Sequence, residues 1–119
     1  MKLSCQTPKG LKTFKEFWPY YALEHRNLQN RQMHFIGTLL TLIILVMVLW
    51  LKCFLFLFFL PITGYGFAWA GHFFIQKNRP ATFSYPFWSL IADYLMFFYM
   101  LTGRMSEEVK LASAKIEES

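Results

Sequence analysis

The sequence predicts an all-α membrane protein: an N-terminal interfacial amphipathic helix, a transmembrane helical hairpin, and a third apolar helix that either spans the bilayer or re-enters it. Three observations predict this. The chain has 119 residues, 55% of them hydrophobic and 20% aromatic, 14 Phe among them, more apolar surface than a water-soluble domain of this size can bury. The apolar residues are also bunched. No charge falls between Phe35 and Leu51, Lys52 interrupts, and no formal charge falls between Cys53 and Ile75. As helices these runs are about 25 and 35 Å long, against a hydrocarbon core of about 30 Å. Finally, the cations are lopsided. Lys2, Lys9, Lys12, Lys15, Arg26 and Arg31 precede the first run, only Lys52 lies between the runs, and Lys77 and Arg79 follow the second. Positive-inside bias then places the N-terminus and the Lys77–Arg79 loop in the cytoplasm, in an inner membrane if the source is bacterial or the endoplasmic reticulum if it is eukaryotic.

Each element follows in order. Residues 1–10 read as a disordered tail, residues 11–105 as one membrane-embedded helical domain, and residues 106–119 as a polar C-terminal tail, either a short exposed helix or disordered. Within 11–25, Phe14, Phe17, Trp18 and Tyr21 recur at i, i+3, i+4 and i+7, an aromatic face suited to a membrane interface. Pro19 starts or kinks this helix. The polar stretch "RNLQNR" reads as a turn. The first span covers about His34–Leu51 and the second about Phe54–Gln76, with Pro61 and Gly64 as a kink. A loop, "KNRPATFSYP", leads to the third apolar segment, Pro86–Gly103, which carries Asp93.

Several function classes fall away. The net charge of +5 forms no basic stripe with interleaved aromatics, so no nucleic-acid partner is expected. Cys5 and Cys53 lie on opposite sides of the membrane in this topology, so no disulfide is expected. "KLSCQ" lacks the apolar stretch that a lipoprotein signal requires, and no cleavable signal is visible.

The chemistry gathers at one end of the hairpin. The sequence contains three histidines, His25, His34 and His72. His34 is 18 residues before Lys52 and His72 is 20 after it, so in two antiparallel helices their depths differ by about 3 Å. His34, Gly37, Thr38 and Thr41 share one helix face, and Gly64, Ala68, His72 and Gln76 form an i+4 row on the other helix. Small residues permit close helix approach, so both faces should point inward, although such stripes serve a homo-oligomer as well as a single bundle. A continuous helix would turn about 900° between His25 and His34 and oppose them. A break at "RNLQN" lets His25 fold back over the mouth. Three imidazoles near one point, with Asp93 as the candidate oxygen donor, suit Fe(II), Zn(II) or another transition metal. Taken singly, an interfacial histidine is more often an anchor, and Asp93 can simply pair with Arg79 or His72.

Two stretches also carry a resemblance. "YALEHRNLQNRQMHFIG" followed by "GYGFAWAGHFFIQKNRPATFSYPFWSLIADYLMF" resembles a family of small membrane proteins whose best-understood relatives are the fungal endoplasmic-reticulum 2-hydroxy fatty acid dioxygenases of phytosphingosine breakdown. The resemblance covers about residues 14–105. It implies an Fe(II)-dependent dioxygenase that uses O₂ to shorten a long-chain 2-hydroxy fatty acid by one carbon. The family's histidines map onto His25, His34 and His72. His25, His34, His72 and Asp93 are then the catalytic candidates, the three histidines hold the metal, and Arg31, Lys77, Asn78 and Arg79 are the candidates to bind the substrate's polar end. Two positions depart from the family pattern: Gln76 stands where it has Glu, and Leu28 where it has Pro. Gln76 motivates one alternative, a non-catalytic member of the same family. The other alternative is electron transfer, with His34 and His72 as axial ligands of a haem.

Overall fold

The structure is a computed structural model that describes residues 8–78 and 84–118. The described residues form five α-helices and no strand: α1 (Phe14–Glu24), α2 (Leu28–Leu51), α3 (Phe59–Ala70), α4 (Pro86–Leu101) and α5 (Met105–Glu118). A 3₁₀ segment, Phe54–Phe58, leads into α3, and a π-helical turn, Gly71–Gln76, follows it.

Local chemistry sets the ends of these helices. Thr13 caps α1 by accepting from the Glu16 N–H, and the Glu16 carboxylate accepts from the Lys12 N–H, a variant of the reciprocal capping box. Pro19 lies inside α1, and the helix runs on through it. The polar stretch after α1 contains only a short break. Asn27 caps α2 by accepting from the Asn30 N–H at 3.1 Å, so α2 begins at Leu28, six residues before the expected start of the first span. Lys52, left-handed at φ 56°, ends α2 and begins the turn of the hairpin.

α2 and α3 form the principal helix pair. Gly37 allows their approach: a Cβ there would stand 2.8 Å from the Phe67 Cβ and 3.2 Å from the Gly64 carbonyl oxygen. Pro61 falls in the first turn of α3, where a missing N–H costs no helical hydrogen bond. The helix departs from α geometry later, at His72 itself, rather than at Pro61 and Gly64.

The second packing layer corrects an expectation. The aromatic face of α1 is not left exposed, as it would be in a helix resting alone on a membrane interface. Phe17 and Tyr21 are buried in a core with Ala92 and Met96 of α4 and Met105 and Ala112 of α5, with Phe14 and Trp18 packed at its margin. The physical reason is cover from two elements: Trp18 Nε1 donates to Glu108 of α5 at 3.0 Å, and Tyr85 and Trp88 at the start of α4 pack against Phe17 at 5.2 and 5.7 Å between ring centroids. The segment read as a polar tail thus supplies part of the core.

The hairpin reaches beyond this core. Trp50, Leu55 and Phe58 are 84, 83 and 74% exposed. The segments Leu28–Leu51 and Phe54–Gln76 are long and apolar enough to cross a membrane, yet only 17% and 11% of their most apolar windows are buried. The core helix of a water-soluble domain would instead be covered.

Candidate metal centre

The break between α1 and α2 folds His25 back onto the hairpin. Its Nε2 lies 2.7 Å from His34 Nε2, which lies 3.0 Å from His72 Nε2. All three rings are buried, and one nitrogen from each falls within a sphere of contacts no wider than 4.8 Å.

Hydrogen bonds decide which nitrogens face each other. His25 Nδ1 is 2.7 Å from the Tyr21 carbonyl oxygen, which only accepts, so Nδ1 carries the proton and Nε2 the lone pair. His72 Nδ1 is 2.6 Å from Asn78 Oδ1. Asn78 Nδ2 donates to the Glu24 carbonyl at 2.9 Å, which fixes the amide with its oxygen toward His72. His72 therefore also presents a bare Nε2. Burial pushes the His25 pKa well below its usual value, and the neighbouring His72 and His34 push it further.

This pattern fits a metal ion. Two lone pairs converge on His34 Nε2, which can donate one proton at most, while His34 Nδ1 is buried without a partner among the described residues. The neutral cluster leaves lone pairs opposed, and adding a proton buries a charge. One cation resolves this by accepting all three. Nitrogens about 2.0–2.1 Å from a shared ion stand about 3.0–3.4 Å apart, close to the spacing here. The carbonyls behind His25 and His72 are the outer partners that such ligands use.

The surrounding elements hold this geometry. The π-turn places His72 inward, and Lys77, left-handed at φ 59°, ends it by donating its N–H to the His72 carbonyl. Gln76 Oε1 accepts from Asn30 Nδ2 at 2.9 Å and the Asn27 N–H at 3.2 Å, and its Nε2 donates to the Leu23 carbonyl at 3.5 Å. Gln76 is thus a clamp across the α1–α2 junction and lies outside the imidazole cluster.

The other candidates separate. Asp93 does not join the three imidazoles. It accepts from the Tyr21 hydroxyl and lines a cavity of about 310 Å³ between α2, α3 and α4. Arg31 is buried and donates to the His25 and Arg26 carbonyls at 3.1 and 3.2 Å, holding the turn that carries His25. Asn78 orients His72, and Lys77 is exposed. Arg79 lies outside the described residues.

Tyr21 is the residue that sequence reasoning missed. Its ring stacks on His25 at 4.1 Å between centroids, its carbonyl receives the His25 proton, and its hydroxyl reaches Asp93. Burial, then the nearby Asp93, pushes its pKa well above the usual value, so the phenol keeps the proton it donates. The available signal was its place one helical turn before His25.

His34 belongs to both the cluster and the cavity wall, which otherwise is mostly apolar: Leu45, Leu60, Pro61, Gly64, Ala68 and Leu90. One histidine of the metal-competent cluster therefore also lines a largely apolar cleft. No curated protein and no solved structure matches the chain. Residues 11–105 match a family model described as 2-hydroxy-palmitic acid dioxygenase Mpo1-like. With that match over most of its length, beside the histidine cluster, the chain belongs to the Mpo1-like family.

Proposed function

We propose that this protein is an integral membrane, Fe(II)-dependent dioxygenase that shortens long-chain 2-hydroxy fatty acids by one carbon at the cytoplasmic boundary of the bilayer. The observation that carries the reading is the meeting of three Nε2 atoms, two with their tautomer fixed from behind, beside a largely apolar cleft that His34 also lines. The family description adds the substrate class.

His25, His34 and His72 would hold the iron, which when bound supplies O₂ activation at the substrate's polar end. The remaining work belongs to the chain's own residues. The Tyr21 carbonyl and Asn78 hold their imidazoles in one orientation. Along α2 from His34 to Leu45 the cleft extends about 16 Å, so an acyl tail lying there fixes the reacting carbons beside the cluster and keeps water away. Oxidation of a 2-hydroxy acid by O₂ to the acid one carbon shorter, CO₂ and water balances without an external reductant. The cationic N-terminal half and the exposed apolar hairpin motivate membrane insertion with the cluster on the cytoplasmic side.

The two alternatives lose ground. Axial nitrogens on opposite faces of a haem iron stand about 4 Å apart, whereas His34 and His72 are 3.0 Å apart with His25 against both. Gln76 gives no reason for inactivity, since its oxygen acts as a hydrogen-bond acceptor and its amide N–H₂ faces a carbonyl.

The test is metal analysis of detergent-purified protein after anaerobic Fe(II) loading, followed by turnover of 2-hydroxypalmitic acid with O₂. Wild type should hold about one iron per chain and His72→Ala should hold almost none, because three ligands reduced to two lose the chelate. Absence of iron from wild type, or iron retained in full by His72→Ala, would overturn the site.

A further inference from the structure

We propose that Asp93 recognises the 2-hydroxyl of the substrate, and so decides that this cleft takes 2-hydroxy acids and rejects unsubstituted ones. The inference rests on the proposed dioxygenase reading and adds a specificity-determining residue to it.

The argument begins with the polarity of the cleft. Its deep part, toward Leu45, Leu60 and Pro61, offers no hydrogen bond to a ligand through its side chains, and Thr41 donates its hydroxyl to the Gly37 carbonyl at 2.7 Å. The Thr38, Tyr65 and Tyr94 side chains also line the cleft, and His34 and Asp93 face the same space. Among the described lining residues Asp93 is the only carboxyl group, and no Lys or Arg lines the cleft.

A carboxyl group in an apolar cleft needs a hydrogen-bonding partner from the ligand. The 2-hydroxyl of the substrate pairs with it in either protonation state, because a hydroxyl both donates and accepts. No Lys or Arg lines the cleft to neutralise the substrate carboxylate, so that group belongs on the side of the imidazoles, and the hydroxyl falls to Asp93 on α4. Oδ1 of Asp93 is already occupied by the Tyr21 hydroxyl. Oδ2 has no partner among the described residues, and the side chain lies in the cavity wall. One acceptor is thus held in place and one is left for a ligand.

The position is also tied to the reacting end. Tyr21 donates to Asp93 while stacking on His25 and accepting the His25 Nδ1 proton through its carbonyl. Asp93 and the imidazole cluster therefore share one rigid support. An unsubstituted acid in the same pose would leave a desolvated carboxylate oxygen unpaired, and sites built to pair a substrate hydroxyl reject analogues lacking it strongly.

The test compares binding of 2-hydroxypalmitic, 2-methoxypalmitic and palmitic acids to the iron-loaded protein without O₂, with turnover of the first assayed separately. Wild type should prefer the hydroxy acid to palmitic acid by about 100-fold or more. The methoxy acid keeps the oxygen but has no proton to donate and adds a methyl group where the hydroxyl pairs, so it should bind more weakly than the hydroxy acid. Asp93→Asn keeps an acceptor for Tyr21 but turns an N–H₂ group to the cleft, so its preference for the hydroxy acid should fall below about tenfold with its iron content unchanged. Equal binding of the methoxy and hydroxy acids by wild type would overturn the proposal without any variant, as would a full hydroxyl preference in iron-loaded Asp93→Asn. Wild type that turns over hydroxy acids yet shows no preference refutes Asp93 recognition alone. Wild type that neither binds nor turns them over refutes the dioxygenase reading, and this proposal with it.

Discussion

Asn78 holds His72 through one side-chain atom and the end of α1 through another. That double attachment makes it a positioning residue. Without its oxygen the His72 Nδ1–H is left buried, and the proton is free to move to Nε2, the nitrogen that faces the cluster. Asn78→Ala should therefore weaken iron binding about 10- to 100-fold while leaving all three histidines in place. Iron titration of the variant checks this, and unchanged affinity would show that the tautomer is set elsewhere. The sequence placed Asn78 in the right neighbourhood, beside the last histidine, but could not say which of its neighbours it serves. The same holds for Arg31, a candidate to bind the substrate's polar end, whose Nη1 donates to the carbonyls of the His25 turn and whose Nη2 donates to Ser106 Oγ at 3.4 Å. Cationic side chains near a site advertise charge, whereas backbone carbonyls at a helix break leave no mark in a sequence.

At the scale of elements, the π-turn Gly71–Gln76 is the least legible feature and among the most consequential. The spacing of small residues predicted the inward face of the second span, Gly64, Ala68, His72 and Gln76, and the structure brings His72 and Gln76 to the α1–α2 junction. It gave no hint of the widened turn. Gly71 lets that turn lie against α2, because a Cβ there would land on Asn30 Oδ1 and stand 3.2 Å from the Asn30 carbonyl oxygen. Asn30 cannot step aside, since it is fully buried and its amide bonds Gln76 and the Glu24 carbonyl. Gly71→Ala should cost about 1–3 kcal/mol, the usual range for overpacking, seen as a lower thermal midpoint in detergent with reduced iron occupancy. A variant as stable as wild type would mean the junction is looser than its hydrogen bonds imply. α1 and α5 teach the complementary lesson. The aromatic stripe of α1 was plain in the sequence, but a stripe does not name its cover. Met105, Val109, Ala112 and Ile116 recur at helical spacing and line the face of α5 that packs into the core, a pattern hidden by the charges between them.

At the scale of the whole molecule, an apolar hairpin 51 Å in longest extent with its neighbours carries its histidine cluster at one end and its turn, Lys52 and Cys53, at the other. The proposed chemistry needs this polarity. A substrate dissolved in the bilayer keeps its polar end at the boundary, so a cluster at the helix ends meets the reacting carbons where they already lie, while the tail remains among apolar side chains. The proposed cytoplasmic placement of that end follows from the cation distribution, with six of the Lys and Arg residues before the uncharged run that starts at Phe35 and one in the hairpin turn. Cys53 is exposed and unpaired at the turn, and it makes the orientation measurable. In a Cys5→Ser background, the remaining thiol should react with a membrane-impermeant maleimide added outside intact bacterial cells that express the protein, and a cysteine introduced at Lys77 in a Cys53→Ser, Cys5→Ser background should react only after the cells are opened. The reverse pattern would put the cluster on the outer face, where the positive-inside argument fails. Access of both thiols from outside without lysis would mean that the hairpin does not cross the membrane, and the exposed apolar surface of α2 and α3 would then have to be covered by other protein.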